Sequence, residues 1–200
     1  MKRNPFFQTP SSPFKIEYTR DDAIDALTHD LNKRMLAYRP FTEVVTLCIG
    51  TDRSTGDALG PLVGTRLQKL YPPGMQIYGT IDEPVHAVNL KENIEKIEKK
   101  HPYALVIAVD ACLGQFNSVG NITISHGPLK PGAGVKKELP EVGNLHITGI
   151  VNIGGFMEYF VLQNTRLSIV MKMADTIAHS LYKSSYQLFH PKENLANVKL

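Results

Sequence analysis

Two short apolar runs constrain this chain most. Val44-Val45-Thr46-Leu47-Cys48-Ile49 is β-branched at four positions, and Tyr103 to Val109 is apolar throughout. Neither alternates polar with apolar residues, so each reads as a strand buried on both faces, as in a parallel sheet. Asp57 to Tyr71 lies between them, with Leu59, Leu62, Val63, Leu67 and Leu70 at helical spacing, stopped by Pro72-Pro73-Gly74. Met75 to Tyr78 is a further short strand, and Ala87 to Lys100 a charged helix with a partial apolar face at Val88, Ile94 and Ile97. The order β-α-β-α-β predicts a parallel sheet with helices on both faces, and right-handed crossovers fix most of its layout.

The flanking segments fit that plan. Asp21 to Leu36 reads as an amphipathic helix ended by Pro40. Asn121 to Ser125 alternates like a more exposed strand, and Leu145 to Val151 suits another. Residues 127–143 hold Gly or Pro at seven positions and read as loop. Phe156 to Leu162 and Ser168 to Leu188 read as closing helices. Residues 1–18, with Pro5, Pro10 and Pro13, are expected to be a flexible tail, and 19–200 a single domain. A removable pro-segment is the lesser alternative for that tail, a disordered terminus being the plainer reading.

Composition excludes several classes of function. Lys and Arg number 22 against 19 Asp and Glu, so the net charge of +3 is too small to argue for nucleic acid or an anionic membrane. The longest strictly apolar run, Ala104 to Val109, has six residues, whereas a spanning helix needs about 20. The residues after Met1-Lys2-Arg3 carry three Pro and no apolar core, so export is not expected. Cys48 and Cys112 have no zinc spacing and read as two reduced thiols of a cytoplasmic protein. Cys48 is expected in the core, while Cys112, two residues beyond Asp110, reads either as packing or as a thiol that would need a His partner to act as a nucleophile.

In open α/β sheets, ligands gather at the carboxyl ends of the parallel strands. Two polar clusters fall there. Gly50 to Pro61 follows the first core strand, and Asp110-Ala111-Cys112 ends the second. Two carboxylates at such a point, Asp57 and Asp110, can divide labour: one ionised and basic, the other kept protonated by its neighbour. The plainer alternatives are a helix cap at Asp57 and a loop cap at Asp110. The glycine loop lacks both Gly-Lys-Ser/Thr and G-x-G-x-x-G, so a nucleotide site is disfavoured. Arg53, Ser54, Thr55 and Gly56 are instead candidate peptide contacts. His86 and His146 are the histidines placed to join the acids around Zn or Ni, although neither has H-x-x-x-H spacing. His29, His101, His126, His179 and His190 read as surface residues.

Gly56-Asp57-Ala58-Leu59-Gly60-Pro61 and Val106-Ile107-Ala108-Val109-Asp110-Ala111 resemble the bacterial spore germination protease family, with a looser match at Lys130 to Leu139. Asp82 to Leu90 and Thr148 to Phe160 resemble the YyaC-type sporulation proteins of spore-forming Firmicutes. Together the resemblance spans about Glu43 to Leu181, and it is the combination of motifs that is specific. It implies a phosphorylase/hydrolase-like α/β/α sandwich, shared with hydrogenase-maturation endopeptidases. It also implies a sporulation-associated peptidase whose catalytic pair matches Asp57 and Asp110. In the maturation endopeptidases the equivalent acids and a histidine hold nickel, which makes Asp57, Asp110 and His86 or His146 the alternative metal set. The chain is much shorter than a germination protease, so its substrate-gripping parts differ. The readings carried forward are a cofactor-free Asp/Asp peptidase in the forespore or mother-cell cytoplasm, a Ni- or Zn-dependent endopeptidase, and a non-catalytic binding protein on the same scaffold. A peptide or spore-protein substrate follows from the first, with small acid-soluble spore proteins as candidates; self-association is left open.

Overall fold

The computed structural model describes residues 12–132 and 139–190. Six strands form one sheet: β1 (Phe14–Glu17), β2 (Glu43–Cys48), β3 (Met75–Tyr78), β4 (Ala104–Gly114), β5 (Asn121–His126) and β6 (Leu145–Ile153), in the order β1-β5-β6-β4-β2-β3. β3, β2, β4 and β6 run parallel, whereas β5 and β1 add antiparallel at one side. The helices are α1 (Ala23–Leu36), α2 (Leu59–Leu70), α3 (Leu90–Lys100), α4 (Glu158–Gln163) and α5 (Leu167–Phe189).

The doubly apolar strands act as the sequence predicts. Val44 and Cys48 on β2, with Leu105, Ile107 and Val109 on β4, pack on α1, α2 and α5. The alternate residues Val45, Leu47 and Ala108 face the other way, against Leu90 and Ile97 of α3 and against Leu129 and Val142. Helices therefore cover both faces, giving a three-layer α/β/α sandwich with a mostly parallel sheet. No helix among the described residues is long and apolar enough to cross a membrane.

Several local expectations change. Phe14–Glu17, expected to be loose tail, pairs with Ile124–Asn121, and Ile16 is buried in the core. Arg34 of α1 helps to hold this stretch. Its side chain is 1% exposed, is paired with Asp30 one turn earlier, and donates to the Ser12 carbonyl at 3.0 Å. Residues 1–11 of the expected tail, and 133–138 of the expected loop, lie outside the described residues. α3 begins at Leu90 rather than Ala87, because Asn89 Oδ1 accepts the His86 N–H at 2.8 Å and shapes a turn there, leaving Val88 exposed. His101 and His126 are half-buried rather than superficial. His101 joins Tyr78 to Glu43 (Nε2 to the Tyr78 hydroxyl 2.9 Å, Nδ1 to Oε1 3.0 Å), and His126 contacts the Tyr38 hydroxyl.

α2 sits unusually close to the sheet. A Cβ on Gly60 would stand 2.1 Å from the Ile49 carbonyl oxygen, and one on Gly64 would stand 1.9 Å from that of Gly79. In an ordinary helix interior, Gly→Ala stabilises by about 1 kcal/mol. At Gly64 the obstacle is backbone, which cannot rotate aside. Gly64→Ala is therefore expected to destabilise the protein by about 3 kcal/mol, read as a lower urea midpoint at unchanged m value.

Candidate active site

The close seating of α2 determines where the chemistry falls. β2 ends at Cys48, and Gly50 adopts φ +147° with its N–H bonded to the Val85 carbonyl at 2.8 Å. The chain then loops and returns, the Thr51 N–H meeting the Asp57 carbonyl at 3.1 Å. Asp57 lies in a single 3₁₀ turn, Gly56–Ala58, that leads into α2. Neither the turn nor α2 has a side-chain cap bond, so the capping role does not account for Asp57.

Asp110 comes from the adjacent strand. It lies on β4 opposite Thr148 of β6, beyond the stretch where β4 pairs with β2. Asp57, Asp110 and Thr148 line one cleft of about 310 Å³ at the carboxyl ends of the parallel strands, together with His86, Cys112 and Glu158. Lys130 to Gly132 and Leu139 form another part of its wall.

The two acids are electrostatically unequal. Burial pushes the Asp110 carboxyl up to about 8; the Ala111 N–H, 2.8 Å from Oδ1, opposes the rise, and the negative charge of Asp57 adds to it. Burial also raises Asp57, while the nearby Ser54 hydroxyl works in the opposite direction. Cys112 is raised chiefly by burial, with Thr148 opposing and Asp110 adding, so it sits in the cleft as a thiol rather than an activated thiolate.

Not every expected residue reaches the cleft. Arg53 is exposed, Ser54 is buried behind the loop, Thr55 is half-buried, and Gly56 is closed off by Leu162, which would lie 2.7 Å from a Cβ there. None of the four lines the cleft. His146 does not line it either: its Nδ1 lies 2.9 Å from the Gly127 carbonyl and donates to it. His86 does line it, but its Nδ1 accepts the Val88 N–H at 3.3 Å. That bond favours the tautomer with its proton on Nε2. Among the described residues, no three His, Cys, Asp or Glu side chains gather as they would around an ion. Among the described residues, the donors do not assemble into the metal set that the resemblance implies.

Glu158, Thr148 and Lys130 lie within the resembling segments, but nothing in their spacing singled them out as cleft residues. Glu158 follows the left-handed Met157 (φ 55°) and accepts the Gly155 N–H at 3.2 Å, an arrangement set by a turn that periodicity does not show. Thr148 and Lys130 lay within quoted motifs, yet only sheet register and the path of the loop bring them to Asp110.

With fold and cleft defined, the comparisons place the chain. The model of a family described as a protein of unknown function, DUF1256, matches residues 15–180, and the chain belongs to that family. A relative in Bacillus subtilis (strain 168), the uncharacterized protein YyaC, is 62% identical over 138 residues, covering 69% of this chain and 67% of that protein. Among solved structures, the NiFe hydrogenase maturation protease HycI from Thermococcus kodakarensis KOD1 is similar over 72% of this chain and 95% of that one. The identity there is 21% and the TM-score 0.47.

The raised Asp110 carboxyl has a consequence for stability. Between its ordinary value of 3.8 and about 8, the folded protein retains a proton that the unfolded chain has released. Stability is therefore greatest at the acid end of this window, falls as pH rises through it, and levels off above about pH 8. Urea midpoints measured from pH 5 to 9 are expected to show this decline, and Asp110→Asn to flatten it. Asp57→Asn is expected to leave most of it, since burial outweighs the Asp57 charge.

Proposed function

We propose that this chain is a peptidase that uses Asp57 and Asp110 as an acid–base pair to hydrolyse a peptide bond. The observation that carries the reading is the meeting of two carboxylates, from different elements, in one cleft at the carboxyl edge of the parallel strands. Their inequality suits the division of labour. Asp110, dehydrated on its strand and lifted to about 8, holds a proton at neutral pH. Asp57, raised by burial with Ser54 opposing, takes the ionised, basic role in this proposal.

In the proposed reaction, Asp57 takes a proton from water as the water oxygen bonds to the scissile carbonyl carbon. Asp110 donates its proton to the carbonyl oxygen, which gives a neutral gem-diol. As the C–N bond breaks, the proton on Asp57 passes to the departing nitrogen and Asp110 recovers one from the diol hydroxyl. Both acids return to their starting states. General acid–base assistance of this kind contributes about 10²–10⁴-fold in rate. The cleft's partly apolar wall of Ile49, Leu129, Leu139 and Leu162 limits water around the acids and helps to keep Asp110 protonated. A sporulation setting and a spore-protein substrate form part of this proposal and rest on the motifs that resemble the YyaC-type and germination protease families.

The test is incubation of wild type, Asp57→Asn and Asp110→Asn with small acid-soluble spore proteins and with a proteome-derived peptide pool, read by mass spectrometry with and without EDTA. New termini are expected with wild type in both conditions. Each variant is expected to lose about 10²–10⁴-fold in rate while remaining folded. The wild-type rate is expected to fall on an alkaline limb near pH 8 as Asp110 deprotonates. Full activity in Asp57→Asn would remove the mechanism, and loss of the cuts in EDTA would return the acids to a metal role.

A further inference from the structure

β3 is an edge strand, paired on one side with β2 and open on the other. The Val44 N–H bonds to the Gly74 carbonyl at 2.9 Å, which fixes the parity of the ladder. Backbone groups alternate sides along a strand, so Gly74, Gln76 and Tyr78 face β2, while Met75 and Ile77 turn theirs outward. Among the described residues, no backbone–backbone bond reaches Met75 or Ile77 on that side.

This edge lies in a groove rather than on open surface. A second cavity, of about 360 Å³, is lined by Ile77 and Tyr78 of β3, by Gln68 of α2, and by Asn93 and Lys96 of α3. α2 and α3 cover opposite faces of the sheet, so a space that touches both must lie along its rim. The floor is firmly held. The Tyr78 hydroxyl is bonded to His101, which is bonded in turn to Glu43, and Lys96 Nζ sits 5.7 Å from the Tyr78 ring centroid. The flanking amides suit a main chain. Asn93 donates to the Asn89 carbonyl at 3.0 Å, and its oxygen remains an acceptor; Gln68 offers both a donor and an acceptor.

His86 lines this groove and also the cleft that holds Asp57 and Asp110. The two cavities therefore meet at His86. The opposite rim, β1, is separated from the cleft strands by β5. We infer that the free edge of β3 binds an extended polypeptide by strand addition, and that this is the unreacting arm of the substrate whose next residues pass His86 into the cleft. Main-chain bonds from Ile77, whose outward groups face the groove, supply grip without sequence demand. The inference rests on the peptidase reading for the identity of the bound chain as substrate.

The test uses Asp57→Asn/Asp110→Asn protein, which is not expected to cleave, and a phage-displayed library of random ten-residue peptides. The strongest binder is synthesised, and amide hydrogen exchange is followed with and without it. Exchange at Ile77 is expected to slow at least tenfold, and Ile77→Pro, which removes that outward donor, to raise Kd at least tenfold. Exchange needs no variant in the edge strand, so it decides the matter even if Ile77→Pro fails to fold. Three results would overturn the inference: no peptide selected, protection confined to cleft residues such as Thr148, or edge protection that instead tracks self-association in the ultracentrifuge. Cleavage of the same synthetic peptide by wild type is measured separately. Cuts without edge protection sink the edge alone, whereas edge protection without cuts supports the edge and counts against the peptidase.

Discussion

The approach of α2 to the end of β2 governs the arrangement of this protein. Where Gly60 meets the Ile49 carbonyl and Gly64 meets that of Gly79, helix and sheet touch backbone to backbone. Gly79 (φ +87°) is itself pressed against the Cys48 carbonyl, where a Cβ would come within 1.9 Å. These contacts leave one path for the chain between Cys48 and Leu59, and that path sets Asp57 beside the tip of β4. A looser packing would preserve the hydrophobic core, yet it would separate the carboxylates. The glycines of the Gly56–Pro61 motif thus serve the site through geometry.

Asp110 illustrates how a fold perturbs an ionisable group. Its strand continues past the region where β2 covers it, and the carboxyl faces a cleft that Ile49, Leu129 and Leu139 help to line. Burial dominates, and the neighbouring acid adds a smaller effect in the same direction. A dehydrated acid of this kind costs stability that better solvation would restore, a pattern common at functional sites.

The central layer could be read from residue pattern because burial on both faces leaves a plain signature. Val44–Ile49 and Ala104–Val109 have almost no polar residues to hide, and their intervening helices have clear 3.6-residue periodicity. The two acids were likewise visible, since strand ends and helix starts fix their edge of the sheet. The edges were less visible. β1 has only four residues, and its pairing with β5 depends on contacts more than a hundred residues away in sequence. Prolines nearby made the same stretch look like tail. Arg53 to Gly56 seemed well placed because they share a loop with Asp57, but loop direction is set by bonds such as Thr51 to Asp57, which no spacing rule reveals. His146 was misplaced for a related reason: it lies on the cleft-side face of β6, one pleat repeat short of Thr148.

The buried pairing of Arg34 with Asp30 bears on how such a sequence can change over time. Arg34 is almost wholly enclosed and its charge is answered from one turn away on the same helix. Loss of either partner alone removes the counter-charge of the other in the interior, at a cost of about 3–5 kcal/mol, whereas an apolar pair of matching volume is tolerated far better. An exchange of this pair must therefore cross a valley of poorly folding intermediates or occur as a coupled double change. Drift at these two positions is expected to be concerted, while exposed neighbours on α1 vary independently.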